Sequence, residues 1–168
     1  KTLAEIAALR GKSPEETAMD LVAEDETRVG TVYFLMSEDE VRRKVALPWM
    51  SFGSDGSAVS AEGAFLKSNL HPRSYGNFAR VLGRYVRETK ALTLETAVRK
   101  MTGASAEALG LTDRGLVREG LAADLTVFDP ATVGEQGTYT DPHRYPSGIG
   151  TVIVNGAVVI DGGEHTGA

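Results

Sequence analysis

Apolar positions along the chain change their spacing twice, and the changes mark its organisation. Near the start, Leu3, Ile6, Ala7 and Leu9 recur at helical spacing behind a Thr2/Glu5 pair with capping-box separation. "GKSPEETAMDLVAE" repeats the signal, with Ser13 as N-cap, Pro14 in the first turn and Glu16 closing the box. "VGTVYFLMS", residues 29 to 37, then runs apolar without a period and is rich in β-branched and aromatic residues. That pattern predicts a strand buried on both faces, as in a parallel sheet. Ser37 and Glu40 open a third helix through about Ala46, and Trp49 to Phe52 reads as a second strand. Strand, helix and strand in so few residues predict a right-handed βαβ unit.

The middle of the chain returns to helical spacing. Phe78, Val81, Leu82, Tyr85 and Val86 form one apolar face, with Arg80, Arg84 and Arg87 away from it. Thr93 caps a further helix carrying Leu94, Ala97, Val98 and Met101, which Gly103 ends, and a helical turn over Ala106 to Leu109 stops at Gly110. From Gly115 the period becomes two. "GLVREGLAADLTVFDP" predicts a short strand, a turn at Glu119-Gly120 and a strand from Asp124 to Phe128. Three prolines in 130–148 predict a long loop. "TVIVNGAVVIDGG" predicts a hairpin turning at Asn155-Gly156.

Composition narrows the classes. The 168 residues are 42% hydrophobic and 24% charged with a net charge of −5. A strongly basic surface for nucleic acid or for an anionic membrane is not indicated. The basic cluster from Arg84 to Lys90 is interrupted by Glu88 and reads as a solvated helix face. The absence of cysteine excludes disulfides and Cys-based zinc sites within this chain and fits a cytoplasmic location. No apolar run approaches the ~20 residues of a membrane span. The chain opens on a helix with no initiator methionine, as a piece of a longer polypeptide would.

The candidate chemistry centres on Asp55. It follows the second expected strand within "GSDG", at the location where parallel α/β folds place their functional residues. A buried carboxylate there needs a metal, a cationic partner or a proton-transfer role, although the same residues could equally cap a turn. His71, Arg73 and Tyr75 lie on the following loop. Arginine suits bidentate binding of a carboxylate, a structural pairing of Arg73 is the alternative, and Tyr75 suits either a pocket or a loop anchor. His143 and His165 read as exposed loop residues, and Ser54 lacks the partners of a nucleophilic serine.

Three stretches together resemble the C-terminal portion of N-acyl-D-amino-acid deacylases (D-aminoacylases) of the amidohydrolase superfamily. They are "GSDG" at 53–56, "HPRSYGNFARVLGRYVRE" at 71–88, and "GLVREGLAADLTVFDP" with "TVIVNGAVV". The resemblance implies the C-terminal end of a (β/α)₈ TIM-type barrel over residues 1–112, with 29–36 and 49–53 as its last two strands. Residues 113–168 would be strands of a small antiparallel β-sandwich. It implies a hydrolase that converts N-acyl-D-amino acids to a carboxylate and a D-amino acid. Asp55 would be the catalytic carboxylate at a zinc-bound water, and Arg73, His71 and Tyr75 substrate contacts.

The family's His-x-His pair and cysteine ligand are missing, and a complete barrel needs about 250 residues. Zinc is therefore expected in the full-length enzyme and not in the isolated chain, where Asp55 is the single candidate ligand. The expected partners are the small N-acyl amino acid and either the missing N-terminal barrel portion or another copy of the chain, with no nucleic acid and no membrane. Alone, the chain is expected to be inactive. The alternatives are a non-catalytic assembly module derived from an amidohydrolase, or a fragment of a cyclic-amide hydrolase.

Overall fold

A computed structural model of the chain describes residues 1–26, 29–68 and 70–168. It divides into two compact units, Lys1–Ser37 and Glu38–Ala168.

The first unit is built on a helical hairpin. Both expected capping boxes form: Thr2 and Glu5 start α1 (Leu3–Arg10), and Ser13 and Glu16 start α2 (Pro14–Asp25). Gly11, at φ 65°, supplies the left-handed residue that ends α1. Arg10 pairs with Glu24 at 2.7 Å and Lys12 with Asp20 at 2.5 Å across the hairpin, while Ala7 and Thr17 are buried between the helices.

The strand expected over 29–37 does not form. These residues carry no ladder, and Tyr33, Phe34 and Leu35 are exposed, Phe34 by 85%. A strand buried on both faces needs hydrogen-bonded neighbours, and no described segment supplies one. The strand expected at 49–52 is likewise irregular, with Trp49 exposed. The βαβ unit is therefore absent from the described residues, and its crossover remains only as α3 (Glu38–Ala46).

The second unit packs helices around a core of Val45, Ala79, Val81, Leu82, Tyr85, Ala97 and Val133. α4 (Arg73–Arg80) runs into a π-helical stretch, Val81–Glu88, and α5 (Leu94–Met101) and α6 (Gly103–Ala108) follow. Thr93 caps α5 by accepting the Thr96 N–H at 3.2 Å, as its sequence predicts. The expected apolar face is buried at Val81, Leu82 and Tyr85, but Phe78 is exposed and Ala79 takes its place. The widened π-helical turn rotates the buried face relative to an ideal 3.6-residue period.

The arginines of this stretch are less free than a solvated face implies. Arg87 donates to the Val133 carbonyl at 2.6 Å, and Arg80 pairs with Glu135 at 2.8 Å. Gly76 permits the latter, because a Cβ there would lie 2.8 Å from Glu135 Cγ. Glu135 raises the Arg80 pKa against the opposing effect of burial.

The C-terminal part is one antiparallel sheet in the order β1-β2-β3-β4: β1 (Leu125–Phe128), β2 (Ile149–Val154), β3 (Ala157–Asp161) and β4 (Glu164–His165). β2 and β3 form the expected hairpin around Asn155-Gly156, both at positive φ. The strand expected just after Gly115 is not formed. Gly115, at φ 91°, instead fits closely against α6, where a Cβ would come 2.6 Å from Ala106 Cβ. Helices with an antiparallel sheet give an α/β composition overall.

Candidate functional site

Asp55 sits in an irregular bend at φ 46°, a left-handed conformation that aspartate tolerates better than most residues. The Gly56 N–H donates to Ser54 Oγ at 3.3 Å, closing the bend locally. Gly56 lies against α4, where a Cβ would meet Ser74 Oγ at 3.1 Å. The Asp55 side chain is 90% exposed, with an Arg73 Nη2 3.0 Å from its Oδ2. The premise of a buried carboxylate is thus corrected: without the two strands, no wall surrounds it. What holds Asp55 is backbone conformation plus one guanidinium, and an exposed pair of this kind is worth at most about 1 kcal/mol.

Arg73 is the first residue of α4. Pro72 gives that helix no side-chain cap, and His71 takes over the task. Its carbonyl accepts the Ser74 N–H at 3.0 Å, and its Nδ1 accepts the Arg73 N–H at 3.0 Å. In the neutral ring the proton is therefore on Nε2. His71 also meets Tyr139 edge-on at 5.1 Å between ring centroids. Desolvation, followed by the Arg73 charge, holds the His71 pKa below the ordinary imidazole value, although the ring is largely exposed.

Tyr75 faces another group of residues. Its hydroxyl lies 3.1 Å from the Ser60 carbonyl and 3.0 Å from His143 Nδ1. His143 Nε2 is 2.8 Å from the Ser68 carbonyl, to which it can only donate. Tyr145 stacks edge-on against Tyr75 and accepts the Ala61 N–H at 2.9 Å. Tyr75, His143 and Tyr145 thus hold both ends of the 60–68 segment, which includes a 3₁₀ turn at Gly63–Lys67. His143 is half-buried and central to this clamp rather than an exposed loop residue. The available signal was the aromatic, proline-flanked "DPHRYP".

The structure therefore brings Asp55 and Arg73 into contact and puts His71 beside Arg73's backbone. Tyr75, two residues along α4, points its hydroxyl to the clamp. As for a metal, no group of three or more His, Asp or Glu suited to holding an ion occurs among the described residues. Asp55 offers one carboxylate, already engaged by Arg73. The described residues do not by themselves fit a zinc site.

Comparison with known proteins gives the context of this arrangement. The chain is 42% identical over 164 residues to N-acyl-D-aspartate deacylase and 41% identical over 167 residues to D-aminoacylase, both from Alcaligenes xylosoxydans xylosoxydans. These alignments cover 94% and 99% of this chain but 31% and 32% of the relatives, so it spans about a third of their length. A crystal structure of D-aminoacylase superposes with a TM-score of 0.82 at 42% identity, covering 99% of this chain and 32% of that one. N-acyl-D-glutamate deacylase from Bordetella bronchiseptica, complexed with zinc and a phosphonate mimic of the tetrahedral intermediate, gives 0.79 at 40% identity over 96% of this chain and 33% of that one. Residues 1–160 match the sequence pattern of the amidohydrolase family. With nearly its whole length accounted for by that pattern, the chain belongs to the amidohydrolase family.

Proposed function

We propose that the chain is the C-terminal part of a zinc-dependent cytoplasmic deacylase that hydrolyses N-acyl-D-amino acids to a carboxylate and a D-amino acid. Residues 1–112 would close its (β/α)₈ barrel and residues 113–168 would supply strands of its small β-sandwich. The observation that carries this reading is identity above 40% to N-acyl-D-aspartate deacylase and D-aminoacylase across at least 94% of the chain.

In this reading Asp55 moves the protons. Its carboxylate takes one from the water that attacks the acyl carbon and returns it to the leaving nitrogen as the C–N bond breaks. Arg73 binds the substrate's free α-carboxylate, exchanging its exposed partner Asp55 for a similar group on the ligand. His71 holds the start of α4, and Tyr75 fixes the 60–68 segment beside it. The zinc belongs to the complete enzyme, and the chain alone is inactive until joined by the missing barrel portion or by another copy of itself.

Asp55→Asn in the full-length protein tests the assignment. Loss of a general acid–base group costs on the order of 10²–10⁴ in kcat, and the upper end is expected because one residue serves both transfers. Activity within about threefold of the parent, at unchanged zinc content, would reduce Asp55 to a turn residue.

A second reading, a non-catalytic assembly module, is favoured by the lack of a metal-ligand group among the described residues. Metal analysis separates the two: zinc in the full-length protein supports the deacylase, and a full-length protein that neither binds zinc nor turns over supports the module.

A further inference from the structure

We propose that Lys100 is a positioning residue for Asp55, an inference that rests on the proton-transfer reading above. Lys100 lies in the last turn of α5 and is 1% exposed. Its ammonium donates to the Val45 carbonyl at 2.5 Å and the Leu47 carbonyl at 2.8 Å, and stands 4.8 Å above the centre of the Phe52 ring. Two carbonyls and one ring face account for its three protons. It makes no ion pair among the described residues.

An ammonium buried without a counter-ion costs several kcal/mol, and a methionine of similar length would avoid that cost. The charge must therefore hold something that an apolar side chain would release. All three of its partners lie on the stretch from the end of α3 to Asp55. Val45 and Leu47 contribute carbonyls at the negative end of the α3 dipole, and Phe52 lies three residues before Asp55.

That stretch has no ladder to define its path. Its own backbone bonds are local, from Leu47 N–H to the Lys44 carbonyl and from Met50 N–H to the Leu47 carbonyl. At its far end, Arg73 and the Gly56–Ser74 contact hold it against α4. Lys100 is the corresponding anchor at the near end, tying the stretch to α5. The two anchors together determine where the bend presents its carboxylate.

The experiment compares kcat, KM and peptide-level hydrogen exchange in the full-length protein for Lys100→Met, Lys100→Gln, Asp55→Asn and the double variants, with an N-acyl-D-amino acid as substrate. Lys100→Met is expected to lower kcat by about 10–100-fold with KM nearly unchanged, the scale of a small misplacement of a reacting group. Hydrogen exchange should rise over 47–56 and little elsewhere. Lys100→Gln, which keeps donors without the charge, should recover part of kcat. In the Asp55→Asn background, Lys100→Met should cost almost nothing more.

An equal kcat loss in both backgrounds, or exchange rising throughout α3 to α6, overturns the proposal. If Asp55→Asn alone leaves kcat intact, the proton-transfer reading fails. The exchange over 47–56 then still decides whether Lys100 anchors the stretch. Should Lys100→Met not fold, Lys100→Gln carries the same comparison, and unchanged exchange over 47–56 in that variant rejects the anchor.

Discussion

Arg73 and Asp55 are paired at 3.0 Å although one opens α4 and the other sits in an irregular bend 18 positions earlier. Both partners are well exposed, so the pair adds little stability, and either member can exchange its partner for a ligand at small cost. Its value lies in geometry: the helix start and the bend meet at a point where a carboxylate and a guanidinium face solvent together.

Replacing Arg73 by alanine in the full-length protein should therefore discriminate between substrates. For an N-acyl amino acid with a free α-carboxylate, KM should rise by the equivalent of about 2 kcal/mol, the scale of a charge-assisted hydrogen bond. A substrate whose α-carboxylate is blocked as an amide should lose little. Steady-state kinetics on the two substrates checks this, and equal losses would make Arg73 structural.

His71 should give stability a weak dependence on acidity. Desolvation and the Arg73 charge lower its pKa, so the folded state prefers the neutral ring whose Nδ1 accepts the Arg73 N–H. With the folded pKa below the unfolded value of about 6.5, this stabilisation is fully present above that value. It is lost as pH falls through the folded pKa. Melting temperatures measured from pH 8 to 5 should decline more in the parent than in His71→Asn, whose amide oxygen can replace the Nδ1 acceptor without titrating. Parallel curves would remove His71 from the account. The effect is small because water screens so exposed a ring.

Two glycines with similar φ should respond differently to alanine. Gly148, at φ 75°, would place a Cβ 2.4 Å from the Val133 nitrogen, whereas Gly156, at φ 83°, has nothing within 4 Å. Gly156→Ala should cost only the left-handed strain of roughly 1–2 kcal/mol. Gly148→Ala must also displace the backbone around fully buried Val133, and a loss above about 4 kcal/mol is expected. Urea denaturation of both variants measures the difference, and equal losses would show that backbone strain alone governs both sites.

Local signals in the sequence proved legible where their physics is local. Thr2/Glu5, Ser13/Glu16 and Thr93 start their helices, and Asn155-Gly156 turns its hairpin, because each motif is satisfied within a few residues. The apolar run over 29–37 predicts a buried strand that does not form, because a ladder depends on neighbours that a one-dimensional pattern cannot supply. Asp55 and Arg73 were each identifiable as candidates, but their contact was not, since it depends on how a bend and a helix start are packed together. His143, which reads as an exposed loop residue, and Lys100 are hidden in the sequence for the same reason. Each looks ordinary in sequence and becomes distinctive only through carbonyls 75 and 53 to 55 positions away.

The exposed stretch from Val29 to Met36 also bears on how the polypeptide behaves in a tube. Eight consecutive residues there carry neither charge nor proline, and most of their large apolar side chains face solvent. Such a segment can stack in register with its counterpart on other molecules and form fibrillar precipitate. The charged run from Glu38 to Lys44 just beyond it, three acidic and three basic side chains, is the kind of flanking segment that limits such stacking. Turbidity of the isolated polypeptide should therefore grow with its concentration, and a charged residue placed at Phe34 should suppress it.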